Sequence, residues 1–188
     1  MLSVQSSEQP SRVANAPIFQ CAKAKVLIPV RNRLVRDALI QTALDPEVTD
    51  IRPPEAEECS FDFRAARCSV EERVYVRSNA DEEDELAGGD CDVVLHEPII
   101  LSEPRLTSAR LVWSCRKRWV PPGDRVRVLH FLTEGGAAPL IDVAQAATSS
   151  PDGVAAVLAL VCQDLLEIDL AQASLAPEML VRRRYQVS

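Results

Sequence analysis

The fold of this chain is decided by the stretch from Phe61 to Arg77, whose sequence is FDFRAARCSVEERVYVR. Apolar and polar residues alternate over 61–64 and over 73–77, a period of two that is typical of β-strands with one buried face. The second run is also β-branched and aromatic, which favours a strand. The segment AARCSVEE between the two runs is short and polar enough to connect them. The stretch therefore predicts a central β-hairpin.

Asp62 lies on the first predicted strand, on the side opposite Phe61 and Phe63. A carboxylate in that position can point into a metal site, where a nuclease would need one. It can also be a solvated side chain on the exposed face of the sheet. The hairpin alone favours the solvated interpretation.

The composition predicts a soluble globular protein. The chain has 188 residues, enough for one large domain or two small ones, and 47% of them are apolar. No apolar run approaches the length of a membrane span, and the N-terminus lacks the pattern of a signal peptide. We therefore expect a cytoplasmic protein without a membrane partner.

The cysteines and histidines do not form a recognisable site. Their spacing contains no CxxC, HxxxH or mixed Cys/His pattern, which argues against zinc and against a His-centred catalytic triad. Reduced, mostly buried thiols are the expected state in the cytoplasm. The residues concerned are Cys21, Cys59, Cys68, Cys91, Cys115, Cys162, His96 and His130.

The net charge of −7 comes from one region. Residues 55–85 contain 11 acidic and 4 basic side chains, whereas the rest of the chain is balanced at 17 and 17. A basic surface for nucleic acid must therefore be sought in short local clusters. The acidic run over 78–90, which includes 81–85, predicts an exposed loop that is solvated, or that binds a divalent cation loosely or a basic partner.

The part of the chain before residue 121 is predicted to be an α/β domain. Residues 1–20 are rich in Ser, Gln, Pro and Asn, which predicts a disordered or loosely attached N-terminus. Asp45 and Pro46 end a first helix, and Pro104 suits the first turn of a second. The predicted elements besides the hairpin are helices over 31–44 and 103–119 and strands over 47–52 and 92–95.

A second domain is predicted to follow Pro121, Pro122 and Gly123. Three helices and a two-stranded ribbon in this order are the winged-helix pattern. The predicted division is thus a loose 1–20, an α/β domain over 21–120 and a winged-helix domain over 121–188. The helices are predicted over 124–134, over 139–147 and after Ser150, and the strands over 165–170 and 179–181.

The predicted winged helix is a weak DNA reader. Its third helix is expected to present Ala155, Ala156, Ala159 and Gln163 outward, without a lysine or arginine, although base reading and phosphate binding need such side chains. Packing against protein is at least as good an interpretation. The basic clusters that could contact phosphates are Arg116, Lys117 and Arg118, which could equally serve the negative end of a helix, and Arg182, Arg183 and Arg184.

Taken in order, the predicted elements resemble the endonuclease subunit of heteromeric bacterial transposases, the TnsA family, over roughly residues 30–181. The likeness depends on the order and spacing of its segments rather than on one sharp motif. It implies a restriction-endonuclease-like core, a mixed sheet flanked by helices, followed by a small winged-helix domain. The segments are Val35–Asp37 with Leu44–Val48, Asp62–Phe63 with Val76–Arg77, and Cys91–Val94 with Pro104–Leu111.

The resemblance implies a magnesium-dependent nuclease site that is altered in this chain. The family uses a helix Glu, a strand Asp and then Glu-x-Lys; here Asp62 matches the Asp, but Tyr75 and Arg77 replace the Glu and the Lys. A phenol, protonated at neutral pH, is a poor ligand for magnesium. On the helix only Asp37 is acidic. A shifted register would instead bring Glu71, Glu72 and Arg73 to the site.

We therefore expect a catalytically inactive nuclease-fold protein, without a cofactor, that acts as an adaptor. Its partner would be a transposase- or recombinase-like protein, with DNA as a possible second partner. One alternative is a divergent Mg-dependent DNA endonuclease that uses Asp62 with Glu71 or Glu72 and Asp37. Another is a winged-helix transcription regulator that binds DNA through Arg182–Arg184.

Overall fold

The computed structural model describes residues 17–55, 60–78, 92–170 and 174–184. The helices are α1 (Arg33–Leu44), α2 (Glu97–Ile100), α3 (Arg105–Ser114), α4 (Pro122–Gly135), α5 (Leu140–Gln145) and α6 (Gly153–Cys162). The strands are β1 (Ile18–Phe19), β2 (Ile28–Pro29), β3 (Val48–Arg52), β4 (Phe63–Arg67), β5 (Val70–Arg77), β6 (Asp92–His96), β7 (Ala138–Pro139), β8 (Leu166–Ile168) and β9 (Leu180–Arg183). The chain is mixed α/β, as its sequence predicts.

The largest sheet has four strands in the order β3-β4-β5-β6. The pairs β3/β4 and β4/β5 are antiparallel, and β5/β6 is parallel, so the sheet is mixed. One of its faces buries Phe63 and Val74, which are directly opposite each other, together with Ala65 and Val76. These side chains belong to the same core as α1. Helices therefore flank the sheet.

The predicted hairpin is confirmed, but its connection is much shorter than expected. The segments AAR and VEE belong to β4 and β5, so only Cys68 and Ser69 form the turn. Both turn residues have positive φ, 47° and 69°. Two positive φ angles in a two-residue turn match the twist of an antiparallel pair, which is why the ladder continues to Arg67 and Val70. Neither residue is Gly or Asn, so the sequence carries no signal for this turn.

Helix α1 confirms the predicted helix with one change at its start. Asn32 is the N-cap, and its side chain accepts a hydrogen bond of 2.9 Å from the backbone N–H of Val35. Arg31 therefore lies before the helix rather than in it. The helix ends at Asp45, whose φ and ψ are extended because Pro46 follows.

Two elements before residue 121 differ from the predictions. Helix α3 ends at Ser114, so Arg116, Lys117 and Arg118 follow the helix instead of forming its last turns. Residues 17–20, which belong to the segment predicted to be disordered or loosely attached, lie in the described part of the chain. Phe19 of β1 is buried and stacks on Trp113 with ring centroids 4.9 Å apart, so this residue packs against α3.

The C-terminal part has the order helix, strand, helix, helix, strand, strand. Strands β7, β9 and β8 form an antiparallel three-stranded sheet, of which β7 was not predicted. Helix α6 begins at the N-cap Asp152, which accepts a hydrogen bond from the N–H of Ala155. Gly153 allows α6 to approach α5 closely, because a Cβ there would meet the carbonyl oxygen of Ala144 at 2.3 Å.

Helix α6 is buried on all sides, which corrects the prediction of an outward face. Every residue from Ala155 to Val161 is buried; Ala156 and Ala159, expected on the surface, are 1% and 0% exposed. Of the residues expected on the outward face, Gln163 in the cap is partly accessible. The mean hydropathy of α6 predicts this outcome better than its periodicity, since small apolar residues pack equally well against two layers.

One hydrophobic core crosses the boundary predicted at residue 121. Trp113 of α3, Leu132 of α4 and Leu160 of α6 belong to the same buried cluster.

Among the described residues, no helix combines the length and apolar character needed to cross a membrane. Most of the predicted acidic loop, residues 79–90, lies outside the described part of the chain.

Candidate functional site

Asp62 is a buried carboxylate held by an arginine and a backbone amide. Its side chain is 2% exposed, and Oδ1 lies 2.8 Å from Nε of Arg31. Oδ2 accepts hydrogen bonds from Nη2 of Arg31 at 3.0 Å and from the N–H of Val76 at 2.8 Å. Arg31 also donates to the carbonyl oxygen of Val76. The carboxylate thus joins the segment before α1 to β5, and its charge is balanced within the protein.

Tyr75 lies beside Asp62 in an apolar setting. The N–H of Asp62 donates to the carbonyl of Val74, while its carboxylate accepts from Val76, so Tyr75 stands between the two residues that bind Asp62. Its ring is 4% exposed and meets the ring of Phe61 edge to face at 6.1 Å. The guanidinium of Arg77 lies over the ring of Tyr75, 5.3 Å from the ring centroid.

Asp37 forms a separate buried ion pair between helices. Its side chain is 2% exposed and takes two hydrogen bonds from Arg110 of α3, at 3.0 Å from Nε and 2.6 Å from Nη2. Arg33, one turn earlier on α1, is 3.9 Å away. The hydrogen bonds that Arg110 donates to Asp37 raise the pKa of the Arg110 guanidinium above its ordinary value. Asp37 therefore fastens α1 to α3.

Glu71 and Glu72 lie at the turn end of the hairpin. Glu72 is directly opposite Ala65 and Glu71 is directly opposite Ala66. These two alanines are three and four positions from Asp62, about 10–13 Å along a strand. Glu71 pairs with Arg64 at 3.2 Å, and Glu72 with Arg67 at 3.5 Å. The register thus brings Tyr75, and not these two acids, next to Asp62.

The candidate carboxylates do not form a metal cluster. In the ranges that the structure describes, no group of three or more His, Cys, Asp or Glu side chains is arranged to hold a metal ion. Asp62, Asp37, Glu71 and Glu72 each contact a different arginine. Asp62 and Asp37 are thus used in ion pairs that join distant segments, whereas Glu71 and Glu72 form accessible ion pairs across the hairpin.

The predicted basic triplet at the C-terminal end has three different environments. Arg182 is exposed and paired with Glu167, and Arg183 donates to the hydroxyl of Thr133 at 2.7 Å. Arg184 is only 10% exposed and binds Asp164 at 2.9 Å and the carbonyl oxygen of Val48 at 2.7 Å. Arg184 therefore ties the end of β9 to β3 and is not part of a continuous basic surface.

Lys23 completes the buried charge cluster around Asp164. Its amino group is 2% exposed, lies 3.5 Å from Asp164 and donates to the carbonyl oxygen of Asp45. Burial lowers the pKa of Lys23 to about 8. Burial also raises the pKa of Asp164 in spite of its two cationic neighbours. Lys23 and Arg184 thus link residues distant in sequence through one carboxylate.

The other predicted basic cluster contributes to a cleft that the sequence does not reveal. Arg116 and Lys117 line a cavity of about 830 Å³ together with Arg36 of α1 and Arg125 of α4, and we call it the basic cleft. Arg118 is directed elsewhere, 3.5 Å from Asp152. The remaining lining residues are Ile18, Phe19, Gln20, Cys21, Ala22, Leu27, Trp113, Cys162 and Gln163.

A second cavity, of about 480 Å³, has the opposite character. We call it the acidic cleft, because its lining includes Asp45, Glu47, Glu167 and Asp169. The first three of these are already paired with Arg67 or Arg182. Its basic lining residues are Arg105 and Arg182.

The thiols in the basic cleft are not activated. Burial raises the pKa of Cys162 to about 12, and burial also raises that of Cys21. Cys162 donates to the carbonyl oxygen of Val112 at 3.3 Å. The free cysteines of the described residues are Cys21, Cys68, Cys115 and Cys162, of which Cys68 in the hairpin turn is exposed, contrary to the expectation of mostly buried thiols.

The sequence did not predict the arginines that surround Asp62 and line the basic cleft. Arg31 was expected inside α1, and Arg36 and Arg125 carried no prediction. An unpaired buried carboxylate is strongly unfavourable, so a buried Asp62 requires a cationic partner, but the sequence does not say which one.

No protein-family model, characterised protein or solved structure matches this chain.

Proposed function

We propose that this chain is a non-catalytic adaptor built on a restriction-endonuclease-like core with a winged-helix C-terminal part. In this proposal it binds a transposase- or recombinase-like protein in a complex that handles DNA. The order from α1 to β5 and the mixed sheet are compatible with the core, and the six elements from α4 to β9 are compatible with a winged helix. The function is argued from the site, because a fold by itself does not define one.

The observation that carries the proposal is the state of Asp62. A magnesium ligand needs free oxygen lone pairs directed at a common point with other carboxylates. Both oxygens of Asp62 accept from Arg31, and one also accepts from Val76. To bind a metal, the carboxylate would have to give up a buried ion pair, and the neighbouring Tyr75 would offer a phenol in place of a second carboxylate.

The burial of α6 supports an adaptor over a transcription regulator. In a winged helix that reads DNA, the third helix enters the major groove and must be accessible. Residues Ala155 to Val161 of α6 are buried in this chain, and the side chain of Arg184, the last member of the basic triplet, is only 10% exposed. A C-terminal part that is packed in this way is suited to holding the molecule together and presenting other surfaces.

Metal titration tests the loss of catalysis. The full chain is incubated with supercoiled plasmid and increasing magnesium or manganese, and nicking is followed on a gel. We expect no nicking above the protein-free control and no rise in the melting temperature with either metal, because a bound ion would stabilise the folded state. Metal-dependent nicking that disappears in Asp62→Asn would establish the endonuclease alternative instead.

The Asp62→Asn variant also separates a structural from a catalytic carboxylate. Loss of the ion pair with Arg31 should destabilise the protein by about 1–3 kcal/mol, with the same loss in the presence and absence of magnesium. Tyr75→Phe is a control, because it keeps the ring contacts with Phe61 and Arg77 and removes only the hydroxyl. A variant of Asp62 with unchanged stability but altered metal response would contradict the proposal.

A further inference from the structure

The basic cleft gathers positive charge from separate parts of the chain. Arg36 comes from α1, Arg116 and Lys117 from the turn after α3, and Arg125 from the first turns of α4. No Asp or Glu is among the described residues that line it. The tertiary fold brings these cations together, although the net charge of the protein is −7.

The cations of the basic cleft also lack carboxylate partners. Within the described ranges, none of Arg36, Arg116, Lys117 and Arg125 forms an ion pair with an Asp or Glu side chain. Like charges held together repel one another unless an anion or solvent offsets them. The cleft therefore holds uncompensated positive charge available to a ligand.

Two of the cations are held in place, and two are free to adapt. Arg116 lies 5.3 Å from the ring centroid of Trp113 and donates to the carbonyl oxygen of Trp113 at 3.1 Å. Arg125 donates to the side-chain oxygen of Gln163 at 2.7 Å. Arg36 and Lys117 are exposed. A partly preorganised set of donors loses less conformational entropy when an anion binds.

We propose that the basic cleft binds the phosphates of a single-stranded nucleic acid segment without sequence preference. The cleft, of about 830 Å³, presents cations from α1, from the turn after α3 and from α4, which suits the flexible backbone of a single strand. The planar guanidinium of arginine can bind two phosphate oxygens at once, and the ammonium group of lysine also binds phosphate. Trp113 is 4% exposed and already stacked on Phe19, so recognition is through the backbone and not through base stacking.

An acidic peptide is the competing ligand, and the cleft favours a nucleic acid strand over it. A strand carries one charge on every nucleotide as part of its backbone. An acidic peptide must order long, flexible side chains to present the same charge, which costs conformational entropy for each of them. This inference does not depend on the loss of nuclease activity, because the cleft contains none of the candidate catalytic carboxylates.

The test is the binding of a fluorescent oligothymidylate to the full chain, followed by anisotropy at several salt concentrations. With contacts from all the cleft cations, the slope of log K against log salt should be about −2.8, so that affinity falls about fifty-fold between 50 and 200 mM salt. The double variant Arg36→Gln/Lys117→Gln should lower the slope to about −1.4 and the salt effect to about sevenfold.

A matched control removes the same charge from the other cavity. Arg105→Gln/Arg182→Gln changes two cations of the acidic cleft and should leave both the affinity and the slope unchanged. The plasmid assay is independent of this measurement, so failure of one proposal is distinguishable from failure of the other.

Several results would overturn the inference. Absence of salt-dependent binding would do so, as would an equal loss of binding in the control variant, which would place the contacts outside the cleft. A duplex that binds more tightly than the single strand would exclude the proposed ligand. An acidic peptide that binds the cleft more tightly than the oligonucleotide would identify a protein partner instead.

Discussion

The arginines around the four-stranded sheet and those of the basic cleft are in opposite situations. Around the sheet, Arg31, Arg64, Arg67, Arg73 and Arg110 each contact a carboxylate. In the cleft, none of the cations has such a partner among the described residues. A charge that is balanced within the protein contributes to the fold, whereas a charge left unbalanced on an accessible surface is available to a ligand. Stability and binding measurements should therefore separate the two regions.

The largest stability effect is expected within the C-terminal arginine triplet. Arg184→Ala removes both the ion pair with Asp164 and the hydrogen bond to the carbonyl oxygen of Val48, so it should lower the free energy of unfolding by about 3–5 kcal/mol. Arg182→Ala, at an exposed pair, should change it by less than about 0.5 kcal/mol. Chemical denaturation of both variants measures the difference. Equal losses would mean that the two arginines have the same role, contrary to their burial.

The next largest effect is expected at Asp37. Asp37→Ala should destabilise the protein by about 2–3 kcal/mol, less than for a fully enclosed pair, because Arg110 is partly exposed and can turn toward water. The double variant Asp37→Ala/Arg110→Ala should lose less than the sum of the single variants. Denaturation midpoints of the three variants give the coupling. Strict additivity would show that the pair does not join α1 to α3.

Lys23 should give an effect on stability that depends on pH. Its pKa is about 8 in the folded protein and 10.5 ordinarily, so between these values the unfolded chain retains a proton that the folded protein has lost. Stability attributable to Lys23 should therefore rise with pH in this window, by up to about 1.4 kcal/mol per pH unit.

Comparison with Lys23→Met isolates this contribution from other titrating groups. The free energy of unfolding of both proteins is measured across the window, and the rise should be smaller in the variant. If the two proteins show the same pH dependence, the buried lysine is charged throughout this window, and burial does not lower its pKa.

The smallest stability effect is expected in the basic cleft. Arg36→Gln/Lys117→Gln removes no ion pair of the described residues, so its free energy of unfolding should lie within about 0.5 kcal/mol of the original. Thermal unfolding of the variant checks this, with the oligonucleotide absent. A loss comparable to that of Asp37→Ala would show that these cations serve the fold, and would remove the contrast between the two regions.

Local patterns predicted the main elements but not their limits. The alternation in 61–64 and 73–77 identifies the hairpin, and helical spacing with Pro46 identifies α1. The turn at Cys68 and Ser69 could not be predicted, because two non-glycine residues with positive φ are tolerated only where the flanking strands require them. Strands β1, β2 and β7 have two residues each, too few for a periodic signal.

The candidate site was predicted in part. Asp62 was identified from its place in the predicted hairpin, and the register of that hairpin puts Tyr75 next to it. The partners of the acids were not predicted: Arg110 is 73 positions from Asp37, and Arg31 is 31 positions from Asp62. Among many arginines in the chain, sequence spacing does not indicate which pairs meet.

The sequence by itself determined a mixed α/β chain, the central hairpin, and a phenol rather than a carboxylate at position 75. The period of the apolar residues and the chemistry of a side chain are local properties. Only the tertiary structure decided that α6 is buried on all sides, that Arg184 lies inside and Arg182 outside, and that Arg36, Arg116, Lys117 and Arg125 share one cleft. These outcomes depend on which distant segments pack together. Burial and the pairing of charges follow from that packing and are not encoded in any single segment.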